Sequence, residues 1–491
     1  MVGLTQGMLP KRRIIENIPS AGLAYLLAHE SAGEILVIAA DNDRMQEIAK
    51  DLEIFGQSGV VCFPGQVSSP FSGAAPASEV VFAQLAWRHC WLAKGRPAIT
   101  LTTAAAVQGR WLPEADFVAA SECWQVGDSR SHAQIQAQLI RCGYQRVTMV
   151  EDPGTFAIRG AIIDIFLPRQ NFPVRLDMFG DEIASIKTFD GQTQRARQTL
   201  QEIAVHPIRE VIFTDDTVAL AQQRLVHLAE ELDVPSRKMR EVSEEIGLRN
   251  YFYGVEALWP LFYAAQEEVL ASLCSSQTLV VLDRFEEVQA IWERRWEKSQ
   301  RDRQESLNRH ECVVPTRQHL LEADEIHAHL GCSPQLRSVQ LADDRHDAAQ
   351  PHELSSWQAL AREFERRRED ASQGEILDPL IDTMQRHQAA REDLYLCCAS
   401  RGSAERLREL LLARGCDLPL QSALPALDEL GVPRRQPRLA IVVAPLSAGF
   451  YDAQRSVAFL TDLEIFGTRD ALLQSSAAAQ PRRVLVRSRV W

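Results

Sequence analysis

The stretch EILVIAA, at residues 34–40, is an unbroken apolar run of the kind found in a strand that is buried on both faces. A helical pattern follows at residues 42–55, and a second short apolar run stands at residues 60–63. This order predicts a βαβ unit, and hence a parallel sheet. Another apolar run, AITLT at residues 98–102, extends the same alternation to about residue 115.

Length and charge limit the classes of protein to consider. At 491 residues the chain exceeds what one hydrophobic core supports, so several packed units are expected. Its 66 acidic and 53 basic residues give a formal charge of −13, which argues against free-standing nucleic-acid binding and favours a protein partner. The ten cysteines are scattered without metal-like spacing, which indicates reduced thiols in the cytoplasm. We find no apolar run long enough for a membrane span, and no signal peptide is expected.

The pattern changes between about residues 116 and 208, where a helix precedes closely spaced strands. Ala133–Cys142 is expected to be helical, and strands are expected at Arg159–Phe166, Val174–Phe179 and Glu182–Thr188. Gly180 and Asp181 suit the turn of a hairpin between the last two. We therefore predict a small α+β domain at residues 116–208, inserted into a parallel-sheet domain whose first half is residues 1–115.

The second half of the interrupted domain is expected at residues 209–345. Helical periodicity dominates residues 217–248, and the buried-strand signature returns in TLVVLD at residues 278–283, ahead of a charged helix at residues 286–305.

A further α/β domain is expected at residues 346–470, because strand and helix patterns alternate again there, as in the strand Leu394–Cys398. The polar stretch at residues 341–351 is interpreted as a linker. The tail at residues 471–491 shows no clear periodicity and is expected to be disordered. The predicted fold class is thus multidomain α/β, with an α+β insertion.

Nucleotide chemistry is not supported by the motifs. A glycine-rich loop that feeds a helix N-terminus would be expected in an ATPase, yet the corresponding residues 17–22 have the sequence NIPSAG. Asp283 ends an apolar strand as a magnesium-binding aspartate would, but it is followed by Arg284 instead of a second acid. A structural strand is the favoured interpretation, and no cofactor is expected.

A metal site and a hydrolytic site are also disfavoured. His327, His329 and Cys332 could suggest a metal centre, but they lack a fourth ligand and are expected on a surface helix. No Ser-His-Asp or paired-carboxylate arrangement stands out. We therefore expect neither catalytic residues nor metal-binding residues in this sequence.

The strand at residues 174–179 places unusual side chains on its polar face. Val174, Leu176 and Met178 share one face, whereas Arg175, Asp177 and Phe179 share the other. Arginine and aromatic residues are enriched in interface hot spots, so this face is a candidate docking surface, with Arg159 as a possible third member. The alternative is structural: Phe179 folds under the neighbouring turn, and Arg175 pairs with Asp177 or Glu182.

Residues 151–190 carry a more specific pattern: F-A-x-R-G from Phe156, D-I-F-x-P from Asp164, and P-x-R-x-x-x-F-x-D-E-I from Pro173. This pattern resembles the signature shared by the transcription-repair coupling factors (Mfd) and the excinuclease protein UvrB. The resemblance implies a domain that binds the excinuclease protein UvrA, through residues that match Arg159, Arg175 and Phe179. The resemblance favours the docking surface over the structural alternative.

The coupling factors are the nearer branch of this resemblance. UvrB has an intact phosphate loop and a tyrosine-rich hairpin, whereas residues 63–79 here contain no tyrosine. The segment LWPLF at residues 258–262 and the motifs at residues 444–450 and 460–467 also resemble the coupling factors. The match covers most of residues 15–469, and the interrupted domain is expected to be a degenerate helicase-like domain.

Complete members of the family continue into parts that this sequence does not show: a domain that grips RNA polymerase, an ATP- and magnesium-dependent DNA translocase, and a C-terminal domain that masks the surface for UvrA. The expectation is an adaptor in transcription-coupled nucleotide excision repair, whose open docking face could compete with UvrB. RNA polymerase and DNA would be engaged only through the other parts. The alternatives are a piece of a complete translocase and an inactive remnant.

Overall fold

The computed structural model describes residues 12–16, 18–30, 33–66, 68–73, 77–168, 170–249, 251–339, 354–369, 377–432 and 436–467. The linker expected at residues 341–351 and the tail expected at residues 471–491 lie outside the described residues.

The strands of this part of the chain, in sequence order, are β1 (Arg12–Glu16), β2 (Ile35–Ala39), β3 (Val60–Phe63), β4 (Ile99–Thr103), β5 (Arg110–Trp111), β6 (Glu122–Gln125), β7 (Gln145–Arg146), β8 (Thr155–Arg159), β9 (Ile162–Ile165), β10 (Val174–Phe179), β11 (Glu182–Phe189), β12 (Ala196–Leu200), β13 (Glu202–Val205), β14 (Glu267–Glu268), β15 (Leu279–Leu282), β16 (Gln335–Val339), β17 (Leu354–Ser356), β18 (Asp393–Cys398), β19 (Leu420–Gln421), β20 (Leu439–Val443), β21 (Phe450–Asp452) and β22 (Val457–Thr461).

The α-helices are α1 (Ser20–Ala28), α2 (Asn42–Ile54), α3 (Ser78–Lys94), α4 (Ala104–Val107), α5 (Glu114–Ala119), α6 (His132–Arg141), α7 (Asp215–Glu231), α8 (Ser236–Gly247), α9 (Val255–Leu258), α10 (Val269–Leu273), α11 (Phe285–Asn308), α12 (Ala323–Leu330), α13 (Gln358–Glu369), α14 (Asp378–Ala390), α15 (Arg401–Leu412) and α16 (Asp462–Phe466). Short 3₁₀ helices cover Trp259–Phe262, Thr316–Gln318 and Leu427–Glu429.

The first sheet has the order β1-β16-β15-β2-β4-β3, and all its strands are parallel. Its central strand β2 explains the apolar run in the sequence. Val37 packs into a core on one face of the sheet, and Leu36 packs into a second core on the other face. A strand covered on both faces has no solvated side, so polar residues are excluded from it. The expected α/β class with a parallel sheet is confirmed.

The third sheet, of order β17-β21-β22-β18-β20-β19, shares helices with the first. Tyr25 of α1 and Phe55 after α2 pack against Phe450 and Phe459 of the third sheet. The ring centroids of Tyr25 and Phe450 lie 5.2 Å apart, and those of Phe55 and Phe459 lie 5.7 Å apart. Helices α1 and α2 therefore form one layer between two sheets, and the two units have a continuous core.

A buried carboxylate also joins the unit of the first sheet to the unit of the third sheet, at the ends of α1 and α2. Asp51 of α2 is 1% exposed and accepts hydrogen bonds from the backbone N and the Oγ of Ser447, at 2.9 and 2.5 Å. The Ser447 hydroxyl also lies 2.6 Å from the hydroxyl of Ser20, at the start of α1. Burial raises the pKa of Asp51 to about 6, against the lowering effect of the bonds from Ser447.

The second sheet, of order β12-β11-β10-β9-β8-β7, is the sheet of the predicted α+β insertion. One face packs on α6, and the opposite face carries the polar side chains of β10. Phe82 of α3, a helix between two strands of the first sheet, packs against the hydrophobic core of the insertion beside Gly154. This contact joins the insertion to the domain of the first sheet. A Cβ atom at Gly154 would lie 2.8 Å from the Phe82 ring, and its φ of +81° also favours glycine.

Two sequence predictions were wrong in detail. Residues 159–166 form no single strand, because the chain reverses at Gly160 and Ala161 between β8 and β9. The helical stretch predicted at residues 217–248 is two helices, α7 and α8, interrupted at residues 232–235. The break contains Asp233 at a φ of +51° and Pro235, which precedes α8, and both conformations interrupt a helix.

The buried state of Asp51 makes a testable prediction about stability. Since its folded pKa of about 6 lies above the ordinary value, the folded state retains its proton to higher pH than the unfolded state. Its contribution to stability is therefore complete below about pH 4 and is lost as the pH rises through about 6. Across this window, the unfolding free energy of Asp51→Asn should rise relative to that of the wild type by on the order of 2 kcal/mol. Chemical denaturation at a series of pH values measures this difference.

Glu53→Gln is the control, because Glu53 is exposed on the same helix. Its unfolding free energy should follow that of the wild type through the window. Parallel pH profiles for Asp51→Asn and the wild type would contradict the assignment.

Candidate functional site

Two tight hairpins set the geometry of the polar face of the second sheet. β8 and β9 are joined by Gly160-Ala161, and β10 and β11 are joined by Gly180-Asp181. The φ values of Gly160 and Gly180 are +60° and +63°, whereas their partners in the turns have negative φ. Positive φ at the first central residue alone is the type II′ pattern, which suits two-residue hairpins and favours glycine.

Arg159 and Phe179 occupy equivalent places in these hairpins, each as the last strand residue before the glycine. β8 and β10 run in the same direction, because each is antiparallel to β9, so both side chains stand at the same end of the sheet. Arg159 lies opposite Ile162, which lies opposite Asp177, two residues before Phe179. The two positions are thus about 10 Å apart across the strands and about 7 Å apart along them.

Phe179 is the most exposed large hydrophobic side chain of this face. It is 79% exposed, whereas Met178 beside it is 6% exposed and belongs to the core. Exposed phenylalanine next to a buried neighbour follows from strand phase, since alternate residues face opposite sides. The structural alternative, in which Phe179 folds under the turn, is therefore wrong.

Asp164 of β9 brings the two arginines together. Its carboxylate is 1% exposed and accepts two hydrogen bonds from Arg175, from Nε at 2.7 Å and from Nη2 at 2.9 Å. A third bond comes from Nη2 of Arg159. The bonds to Asp164 raise the pKa of Arg175 above its ordinary value. Arg175 was expected to pair with Asp177 or Glu182 in the structural alternative, and its partner is instead Asp164.

Arg175 is held on its other sides as well. Its Nη2 donates to Oε1 of Gln194 at 2.7 Å, and its guanidinium lies 4.2 Å from the ring centroid of Phe189. The side chain is 19% exposed, compared with 44% for Arg159. Arg159 therefore offers more of its guanidinium to solvent than Arg175 does.

A second ion pair lies next to this cluster. Asp177 accepts hydrogen bonds from Nζ of Lys187 at 2.9 Å and from Oγ of Ser185 at 2.6 Å. These bonds, against the opposing effect of burial, leave the pKa of Asp177 below its ordinary value. The outer face thus carries two separate ionic groups, with Phe179 at its edge.

The sequence identified Arg159, Arg175 and Phe179 but missed Asp164, which lies under both arginines. A signal was present in the sequence, because Asp164 stands between Ile163 and Ile165 in an apolar strand. Strand alternation would have placed it on the same face as Arg175. Gln194 and Phe189 could not be assigned in this way, since Gln194 lies in the turn between β11 and β12 and the register of these strands shifts at Phe189.

A different arrangement stands at the carboxyl ends of the first sheet, where nucleotides bind in open α/β sheets. Asp283, immediately after β15, is fully buried and pairs with the buried Arg44 of α2. Nε of Arg44 lies 2.7 Å from one carboxylate oxygen, and Nη2 lies 3.3 Å from the other. Ser338 donates a further bond at 3.2 Å. A protein cation therefore contacts both oxygens of the aspartate.

The residues considered for a metal site face different neighbours. The His327 ring lies 5.6 Å from that of Trp292, and Nδ1 of His329 lies 3.1 Å from a carboxylate oxygen of Glu268. Cys332 is exposed. Within the ranges that the structure describes, no three metal-ligating side chains come together. None of the helices in those ranges is long and apolar enough to cross a membrane.

Comparison with known proteins gives one family match and a set of relatives. The family model "UvrB interaction domain" matches residues 124–210, which include the second sheet and α6. A transcription-repair-coupling factor from Myxococcus xanthus is 27% identical over 450 residues, or 89% of this chain and 37% of that protein.

Similar relationships hold in other bacteria. The transcription-repair-coupling factor of Bacillus subtilis is 30% identical over 45% of this chain, and that of Escherichia coli is 24% identical over 55%. These matches cover 19% and 23% of the two relatives, so the chain spans well under half the length of the proteins it resembles. The chain is similar to the transcription-repair-coupling factors over most of its length, and its residues 124–210 match the UvrB interaction domain.

Proposed function

We propose that this chain is an adaptor in transcription-coupled nucleotide excision repair, and that it docks the excinuclease protein UvrA through the outer face of the second sheet. The observation that carries this proposal is Phe179, which is 79% exposed at a tight hairpin turn, on the face that also carries Arg159 and Arg175. An aromatic anchor flanked by arginine is the side-chain set that dominates protein interfaces. The relationship to coupling factors and the match to the UvrB interaction domain support the choice of partner.

The shape of the face suits docking without rearrangement. Phe179 and Arg159 each end a strand at a tight turn, and Asp164 joins the strands that carry the two arginines. Side chains that are fixed before binding lose less conformational entropy on docking. Phe179 would fill an apolar depression of the partner, and Arg159 would meet an acceptor about 10 Å across the sheet from it.

The adaptor role includes the absence of an ATP-driven motor within this chain, and thus of a bound nucleotide or magnesium ion. The pair between Arg44 and Asp283 supports this part of the proposal, because the carboxylate already has a cationic partner at 2.7 Å. A magnesium ion would need that carboxylate and would repel the guanidinium. RNA polymerase and DNA would then be engaged through other parts of a complete coupling factor.

One observation favours a second candidate, in which the chain is part of a complete ATP-dependent DNA translocase. The match to the Myxococcus xanthus relative covers only 37% of that protein. Motor motifs downstream in the same reading frame would support this candidate. In that case the surface proposed here would be the recruitment module of the larger protein.

The docking surface is tested by titrating the chain against purified UvrA. The double variant Arg159→Ala/Phe179→Ala should bind on the order of a hundredfold more weakly than the wild type, because two hot-spot side chains together contribute roughly 3 kcal/mol. Isothermal titration calorimetry measures the difference. The unfolding free energy of Phe179→Ala should change by less than about 0.5 kcal/mol, since the side chain is exposed.

Tyr253→Ala is a matched control, because Tyr253 is also 79% exposed but lies outside the second sheet. It should bind like the wild type. Equal affinities for the double variant and the wild type would remove the proposed surface, and a wild type that does not bind UvrA would remove the proposed partner.

The absence of a motor is tested by phosphate release from ATP, with and without duplex DNA. Wild-type chain and an Asp283→Asn variant should give the same background rate, because Asp283 is buried in its pair with Arg44. Hydrolysis by the wild type that disappears in Asp283→Asn would show a working magnesium site and contradict this part of the proposal.

A further inference from the structure

Among the described residues, Asp164 is the only carboxylate that forms an ion pair with Arg159 or Arg175, and it is nearly inaccessible. It lies directly opposite Arg175 on β10 and directly opposite Ala157 on β8, two residues from Arg159. At 1% exposure it cannot itself form much of a contact surface. Its oxygens instead accept three hydrogen bonds from the two guanidinium groups above it.

The two arginines depend on Asp164 to different degrees. Arg175 is braced on three sides: by the bidentate pair with Asp164, by Gln194 at 2.7 Å and by the ring of Phe189 at 4.2 Å. The Arg159 side chain has a single hydrogen bond among the described residues, to Asp164, and more than two fifths of this side chain is exposed. Asp164 is thus the group that links a braced arginine to an exposed one.

We infer that Asp164 is a positioning residue for the docking surface: it fixes the guanidinium of Arg159 for contact with an acidic partner and uses Arg175 as a brace. This inference rests on the proposed function, and it assigns different roles to the residues of the docking surface. Phe179 and Arg159 touch the partner, whereas Asp164 and Arg175 act mainly through Arg159. An arginine held in one rotamer before docking loses less freedom on binding than a mobile one.

The direction in which affinity changes when one negative charge is removed distinguishes a positioning role of Asp164 from a purely electrostatic one. Asp164→Asn and Asp177→Asn each remove one negative charge from the same face of the same sheet. If the arginines acted only as positive charge, both variants would bind an acidic partner more tightly. Positioning requires the reverse for Asp164→Asn, because the amide offers an N–H where a guanidinium donor needs an acceptor.

Asp177→Asn is a matched control, since Asp177 bonds to Ser185 and Lys187 and to neither arginine. In titrations of the full chain against UvrA, Asp164→Asn should bind on the order of tenfold more weakly than the wild type. Asp177→Asn should bind as tightly as the wild type or more tightly. Wild-type or tighter binding by a folded Asp164→Asn would overturn the inference.

Removal of a buried charge from an ion pair can unfold a protein, so a second variant is needed. Gln194→Ala leaves the carboxylate intact and removes one support of Arg175. It should weaken binding by a few-fold, less than Asp164→Asn does. If Asp164→Asn does not fold, Gln194→Ala decides, and unchanged affinity in that variant overturns the inference.

The arginine geometry can also be read without the partner. In the wild type, the side-chain Nε–Hε proton of Arg175 should exchange slowly in NMR spectra, because it is bonded to a buried carboxylate. This protection should be lost in Asp164→Asn and kept in Asp177→Asn. A wild type with the protected proton but no affinity for UvrA would remove the proposed function alone, whereas rapid exchange in the wild type would remove the positioning role.

Discussion

Helices α1 and α2 are the common layer between the first and third sheets, and the main hydrophobic core is organised around them. Tyr25 and Phe55 contribute aromatic rings that pack against Phe450 and Phe459 of the other unit. Close-packed protein interiors tolerate little relative movement of neighbouring elements. The same contact brings Ser447 onto Asp51 and Ser20, at one end of the helices.

Because α2 belongs to this layer, its residue Arg44 reaches the carboxyl ends of the strands of the first sheet. In an open α/β sheet, the carboxyl ends of the strands are the place for a nucleotide, and Asp283 stands there. In this protein, Arg44 at the start of α2 reaches the aspartate and pairs with it in the interior. Removal of one partner of a buried ion pair leaves the other charge buried and unpaired, which is strongly destabilising, so we propose that this pair has a structural role. The outer face of the second sheet, which carries Phe179, Arg159 and Arg175, is the surface that we propose for a partner.

Much of the fold could be predicted from the sequence, because buried parallel strands have an apolar pattern of their own. The run at residues 34–40 predicted a buried strand of a parallel sheet, and β2 lies between β15 and β4 in the first sheet. The single strand predicted at residues 159–166 was wrong, since alternation alone does not reveal a two-residue reversal at Gly160. The pairing of Arg44 with Asp283 could not be predicted, because it joins residues 239 positions apart.

The candidate site was only partly predictable. Strand phase correctly put Arg175 and Phe179 on the outer face, and the exposure of Phe179 follows from the tight turn at Gly180. The structural alternative placed the counter-ion of Arg175 on its own strand or on the next one along the chain, and this alternative was wrong. Asp164 is instead on the preceding strand, and register, which the sequence does not specify, decides which strand supplies the partner.

The central claim, that the face around Phe179 meets UvrA, is tested most directly by site-specific photo-crosslinking. A benzophenone side chain placed at position 179 should give a covalent adduct with UvrA on irradiation, and one placed at the equally exposed position 253 should not. Adducts from position 253 alone, or from neither position in a mixture that forms a complex, would contradict the claim and place the interface elsewhere on the chain.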